Sequence, residues 1–309
     1  MRHRRRALPV AVIPVLVAVA VLGYLAGHTH SARVRTANVV LDYPPGWRGV
    51  AAGVRIPNLA LARPDAIGPG GSGARAGLLV GALPPGELVP LPGKFVSRLP
   101  QAPKTEVVDL REAQAYRYTH LSVPGFAKAL TIFVIPERGG QPTALACYAP
   151  SASSSYMHAC ERSVAALAVT GPLQGSELTP DPAYAAAISA AISTLDGLRV
   201  SLKQELRPPV SAATAQRLGR RLANGYSAAA RALAGLEPSA QSAPVQSALA
   251  GAIAKAHAAY TALAAAAGEQ DRAGYEAARR KVSNAEAEVD EALAIFALIG
   301  YDTAPQPAH

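Results

Sequence analysis

Cysteine is nearly absent from this chain: its 309 residues hold two, Cys147 and Cys160. A zinc site made with these two has to find two further ligands, and His158 is the one histidine beside them. Aromatics are also scarce, at 5% with a single tryptophan. The net charge of +9 is not gathered in one domain. Four of the cations are Arg2, Arg4, Arg5 and Arg6, residues 28–180 carry 14 Lys and Arg against 9 Asp and Glu, and residues 181–309 carry 12 against 12. A nucleic-acid surface concentrates cations on one face and interleaves aromatics on which bases stack, so no nucleic-acid partner is expected. The histidines are scattered, with His28 and His30 near the N-terminus, His120 in a strand-like run and His309 in the tail. No Ser-His-Asp set is discernible in the linear order. No catalytic, cofactor-binding or metal-ligating residues are therefore expected.

What the chain does have is an N-terminal apolar run. Residues 1–6 form a basic cluster, and the stretch from Ala7 to Gly27 carries no charge. At ~1.5 Å per helical residue it reaches across a ~30 Å hydrocarbon core. Cations ahead of a span stay in the cytoplasm, so the remainder is placed outside. Residues 7–27 are read as a transmembrane signal anchor and 28–35 as a juxtamembrane linker. The expected location is a single pass through the plasma membrane of a bacterial envelope, with the N-terminus cytoplasmic. A cleaved signal peptide, giving a secreted protein, is the alternative; the run is long for that, and "LAGHTHSAR" offers poor cleavage sites.

Outside the membrane the compartment is oxidising, and a lone cysteine pair there reads as a disulfide. Cys147 and Cys160 enclose twelve residues rich in Ser, Ala and Pro. A metal site or a reactive thiol paired with His158 remains the other reading.

Composition changes near residue 175. Residues 36–171 are rich in short apolar runs punctuated by Pro and Gly. "ANVVLDYPPGW" reads as a strand entering a type II turn, with Pro45 second, Gly46 third and Trp47 packing beneath it. "NLALA" and "GLLVGAL" read as strands around a loop, "AQAYRYTHLSV", "KALTIFVIP" and "PTALACYA" as three more, and "ERGGQ" as a hairpin turn. "ACERSVAALAV" closes the segment as a helix, with the bridge tying the last strand to that helix's start. "GPGGSG", 68–73, satisfies G-x-G-x-x-G, but a nucleotide site has to open a helix, and here another strand follows.

A strand ending in "YPPGW", an irregular middle, a three-strand meander and a final helix resemble the PsbP-like superfamily over residues 36–171. The resemblance implies an α/β/α sandwich that binds macromolecules or lipids, generally without catalysis.

Residues 172–182 read as a linker and 183–300 as four amphipathic helices with one apolar stripe each. The stripes are Tyr184, Ile188, Ala191, Leu195, Leu198 and Leu202; Leu218, Leu222, Tyr226, Ala229 and Leu233; Val245, Leu249, Ala252, Ala256, Tyr260 and Leu263; and Tyr275, Ala278, Val282, Ala285, Val289, Ala292, Phe296 and Ile299. Ser211, Ser242 and Asp271 are the expected N-caps. Short connections imply an up-down four-helix bundle, and its stripes can also pair between molecules, giving a homo-oligomer. Glu286, Glu288, Asp290 and Glu291 read as a solvated face, and residues 301–309 as a disordered tail. The whole is an α+β chain: an N-terminal transmembrane helix, an antiparallel sheet sandwiched by helices, then an all-α bundle. Its expected work is non-catalytic binding of an envelope protein, a lipid or a wall polymer. A carrier of an apolar ligand and an envelope-acting hydrolase are the alternatives.

Overall fold

The computed structural model describes residues 33–301 except 37, 52–53, 71–74, 85–89, 137–140, 171–177, 207–209 and 240. The anchor at 7–27, residues 137–140 of the "ERGGQ" turn and most of the 172–182 linker lie outside the described residues. The fold is mixed α+β, with antiparallel sheets and six helices among the described residues.

Ten strands precede or flank the first two helices: β1 (Arg33–Thr36), β2 (Val39–Asp42), β3 (Trp47–Val50), β4 (Ala62–Pro69), β5 (Gly77–Ala82), β6 (Lys104–Asp109), β7 (Gln114–Thr119), β8 (Ala129–Ile135), β9 (Thr143–Ala149) and β10 (Ala168–Val169). Helix α1 is the short turn Gly93–Val96, and α2 spans Ser155–Ala165. Seven strands form one sheet in the order β3-β4-β5-β9-β8-β7-β6, while β1, β2 and β10 form a small second sheet. The three meander strands β7, β8 and β9 are neighbours as their spacing predicts.

Both faces of the large sheet are buried, which is why its central strands read as near-continuous apolar runs. Leu78, Val80, Phe133, Leu145 and Cys147 face one core with Met157, Cys160 and Val164 of α2 and Val39 and Leu41 of β2. The alternate residues Leu79, Tyr116, Tyr118, Ile132, Val134, Ala146 and Tyr148 face the other. The turn at Pro44–Trp47 closes with Trp47 N–H donating to Pro44 O at 3.0 Å, and Gly46 takes φ +78° as the third position of a type II turn requires. Trp47 is buried in the first of these cores.

Three local expectations change. "NLALA" leaves a turn at Asn58, which takes φ 61°, and is irregular until the strand begins at Ala62. The last helix starts earlier, at Ser155, because Ser154 Oγ accepts from Met157 N–H as an N-cap. It also ends earlier, at Ala165, so Leu167 is a core residue beyond the helix and Ala168 opens β10. Cys160 therefore sits mid-helix, not at the helix start.

Four long helices follow: α3 (Pro182–Glu205), α4 (Ala212–Ala234), α5 (Ala243–Gly268) and α6 (Arg272–Leu298). Asp181, Ser211 and Asp271 cap α3, α4 and α6, whereas the Ser242 side chain caps nothing and bonds to Ser239. The α4 and α5 stripes are buried as read. On α3 the buried face has turned, so that Ile192 and Arg199 lie inside while Ala191 and Leu198 are half-buried. Among the described residues, α3 is the one helix long and apolar enough to cross a membrane.

The helical half closes over the second face of the sheet, and the two share one continuous core cluster. Tyr118 Oη, fully buried, donates to Leu298 O at 2.7 Å, and Leu178 N–H donates to Gln114 Oε1 at 2.6 Å. Helix α6 ends in a Schellman motif: Gly300 takes φ +86°, Tyr301 N–H donates to Phe296 O at 3.0 Å, and the two rings lie 5.7 Å apart edge to face. Tyr301, expected at the head of a disordered tail, is consequently buried. Residues 302–309 lie outside the described residues.

Candidate functional site

A seven-stranded sheet is roughly 29 Å across, and one helix about 10 Å. Helix α2, eleven residues long, packs over β9 and β5 and leaves the β6–β7 end of that face open. The opening is a cleft of about 580 Å³ between β6, β7, β8 and α2. Leu121, Ala129, Leu130 and Met157 are among its apolar lining residues, while Lys104, Glu106, Arg117, His120, His158 and Glu161 line it with charge and ring nitrogens.

Each group has a structural reason to be there. Alternation along β6 sends Lys104 and Glu106 to the cleft side, and β7 does the same for Arg117 between the inward Tyr116 and Tyr118. Arg117 is the hub. Its Nη2 donates to Glu161 Oε1 at 3.1 Å, its Nη1 lies 3.6 Å from Glu106 Oε2, and its guanidinium sits 6.0 Å over the Phe133 ring. Arg117 Nε is buried and has no acceptor among the described residues. Lys104 Nζ reaches Glu106 Oε1 at 2.6 Å. That hydrogen bond holds the Glu106 carboxyl below its ordinary 4.5; burial opposes it, and Arg117 and His120 assist. His120 adopts φ +56°, a left-handed conformation uncommon outside glycine, and stands beside Thr119 among the cleft's lining residues.

The histidines that look scattered in the linear order, His120 and His158, therefore line one cleft. Glu106, Glu161, Arg117 and Lys104 carry no motif and went unread. The available signal was a single arginine inside an aromatic strand, "AYRYT", and the alternation of "KTEVVD". Cys147 and Cys160 have sulfurs at bonding distance, 2.00 Å, and join β9 to α2 at the residue before Glu161. Both are buried, and neither lines the cleft. The Pro45–Gly46–Trp47 turn enters β3, the opposite edge of the sheet, and takes no part. The described part of "GPGGSG" ends β4 and leads to β5, not to a helix. Among the described residues no group of three or more His, Cys, Asp or Glu side chains is arranged to hold a metal.

A second charged cluster lies within the helical half. Glu286, read as part of a solvated face, is buried: Tyr260 Oη donates to its Oε1 at 2.6 Å, Tyr226 Oη donates to the same atom at 3.1 Å, and Lys203 pairs with its Oε2. Glu286 follows Val282 by four and precedes Val289 by three, so it widens the apolar stripe and does not leave it. Arg199 lies 3.7 Å from Glu286 and pairs with Asp196 and Asp290, each at 2.9 Å. Burial, joined by Glu286, raises the Tyr226 and Tyr260 hydroxyls well above their usual 10. This cluster is enclosed and lines no cleft among those described.

Comparison with known proteins adds no relative. No protein-family model matches the chain, no curated protein matches it, and no solved structure matches it.

Proposed function

We propose that the protein is a non-catalytic binding protein of the bacterial envelope, anchored by residues 7–27, whose β6–β7–α2 cleft takes a charged wall polymer. The carrying observation is Arg117, fixed between two carboxylates and an aromatic ring, with its side chain 30% exposed on the cleft. A guanidinium held in place at a cleft wall presents its exposed N–H groups to an acceptor on a ligand. Equal numbers of cations and carboxylates suit a polymer bearing both signs, and they disfavour an apolar cargo, which needs an apolar cavity. The disulfide suits an exported chain, and non-catalytic binding is what the PsbP-like resemblance implies. In this reading the four long helices form an up-down bundle that backs the sheet and stiffens the cleft from behind.

The hydrolase reading gains one observation, two histidines and two carboxylates on one cleft. A general acid working near neutrality needs its pKa raised, and Glu106 is held low.

Co-sedimentation with isolated wall sacculi tests the proposal. The wild-type chain is expected to pellet with them, and Arg117→Met to lose most of that binding while keeping its circular-dichroism spectrum. Equal pelleting of both proteins overturns the cleft as the binding site. Release of soluble fragments from the sacculi by the wild type, absent in Glu161→Gln, replaces binding by hydrolysis.

A further inference from the structure

We propose that β6 is a self-recognition edge: two copies of the chain join their large sheets by pairing β6 antiparallel with the second copy's β6, Lys104 of each opposite Glu106 of the other. This goes beyond the cleft reading and does not depend on what the cleft binds.

The two edges of the sheet are unlike. Natural edges are blunted by short strands, bulges, proline or charged side chains, which repel a second edge in most registers. On one side β3 has only four residues, and β4 behind it breaks register between Ala62 and Asp65. On the other, β6 runs six residues in unbroken register with β7 and carries the β-branched Thr105, Val107 and Val108. Among the described residues no backbone hydrogen bond reaches its outer side. Lys104 and Glu106 are accessible along that edge, with side chains 60% and 36% exposed.

Symmetry then selects the partner. A two-fold axis perpendicular to the sheet keeps each face on its own side, so only residues of like facing can oppose each other. Centred on Lys104, the axis sets lysine against lysine. Centred on Glu106, it sets glutamate against glutamate. Centred on Val107, it leaves Glu106 opposite Val108. Centred on Thr105, it makes the Lys104–Glu106 pair twice and sets threonine against threonine, both favourable cross-strand combinations. Of these registers the Thr105-centred one pairs opposite charges, and it lies between two that oppose like charges, which is charge complementarity of the strand to itself. The pairing spans only Pro103 to Val107, so the dimer is weak and forms where local concentration is high. The same axis leaves both clefts on one face of the joined sheet, flanking the new seam.

Disulfide trapping in membranes of cells making the full-length chain tests this. Single variants Lys104→Cys, Thr105→Cys and Glu106→Cys are oxidised and run without reductant; the native cysteines are bonded to each other and supply no thiol. The expected result is a band of doubled mass several-fold stronger for Thr105→Cys than for the other two. Adding Lys104→Glu to Thr105→Cys, which opposes glutamate to glutamate, weakens that band several-fold. Adding Glu106→Lys as well restores it, a rescue that a misfolded protein cannot show. No doubled band at any position, equal bands at all three, adducts dominated by another protein, or failure of the double charge swap to restore the band each overturn the proposal.

Discussion

Arg117 and Arg199 do the same electrostatic work in opposite surroundings. Each holds two or more carboxylates, yet Arg117 stands at the mouth of a cleft with its side chain 30% exposed, and Arg199 is enclosed by four helices at 10%. In the Arg199 cluster Glu286 answers two tyrosines, an arginine and a lysine. Each arginine keeps a buried Nε with no hydrogen-bond partner among the described residues, but the Arg117 cluster lines a cleft together with His120 and His158, and the Arg199 cluster lines none of those described. A buried network fixes how helices meet, whereas one that lines a cleft is available to a ligand.

Removing one member of each cluster separates them most. Glu286→Leu strands two buried tyrosine hydroxyls and takes one carboxylate from Arg199 and Lys203, and it is expected to cost about 3–5 kcal/mol in denaturant unfolding. Glu161→Leu, at the open cluster, is expected to cost under about 1 kcal/mol. Equal losses would erase the distinction between the clusters. Replacing Cys147 and Cys160 by alanine frees α2, one wall of the open cluster, and is expected to cost about 3 kcal/mol. Hydrogen exchange should then quicken in α2 while α4–α6 keep their protection.

Alkali probes the closed cluster. Burial holds Tyr226 and Tyr260 protonated to higher pH than in the unfolded chain. The stability they contribute is complete below about 10 and is lost as pH rises past it. The unfolding midpoint should therefore fall steeply above pH 10, with a shallower slope in the Tyr226→Phe, Tyr260→Phe double variant. Acid gives the smallest effect, at the open cluster. Glu106, held below its ordinary 4.5 by Lys104, adds stability that is present above that value and lost as pH falls below it. Glu106→Gln should differ from wild type by a few tenths of a kcal/mol at pH 7, and the two should converge in acid.

How far the chain could be read in advance follows from the range of the forces involved. The stripes of α4 and α5, the caps Ser211 and Asp271, the Pro45–Gly46 turn and the meander β7–β8–β9 were all legible, because each depends on neighbours within a few residues. Strand β6 was missed: its charged, edge-facing alternation looks like loop. The Glu286 reading failed because a glutamate four residues from Val282 looks solvated until its tyrosines arrive from two other helices.

By itself the sequence determined the local order: which segments turn, coil into helices or extend, and that Cys147 and Cys160 had mainly each other to bond. Those choices rest on backbone sterics, capping and periodic burial, which act along the chain. Only the tertiary structure decided that the helices cover the second face of the sheet, that Tyr301 is core, and that α2 stops short of β6. From that shortfall come the cleft and the meeting of Arg117, Glu161, His120 and His158, since groups forty residues apart become neighbours only when whole elements pack.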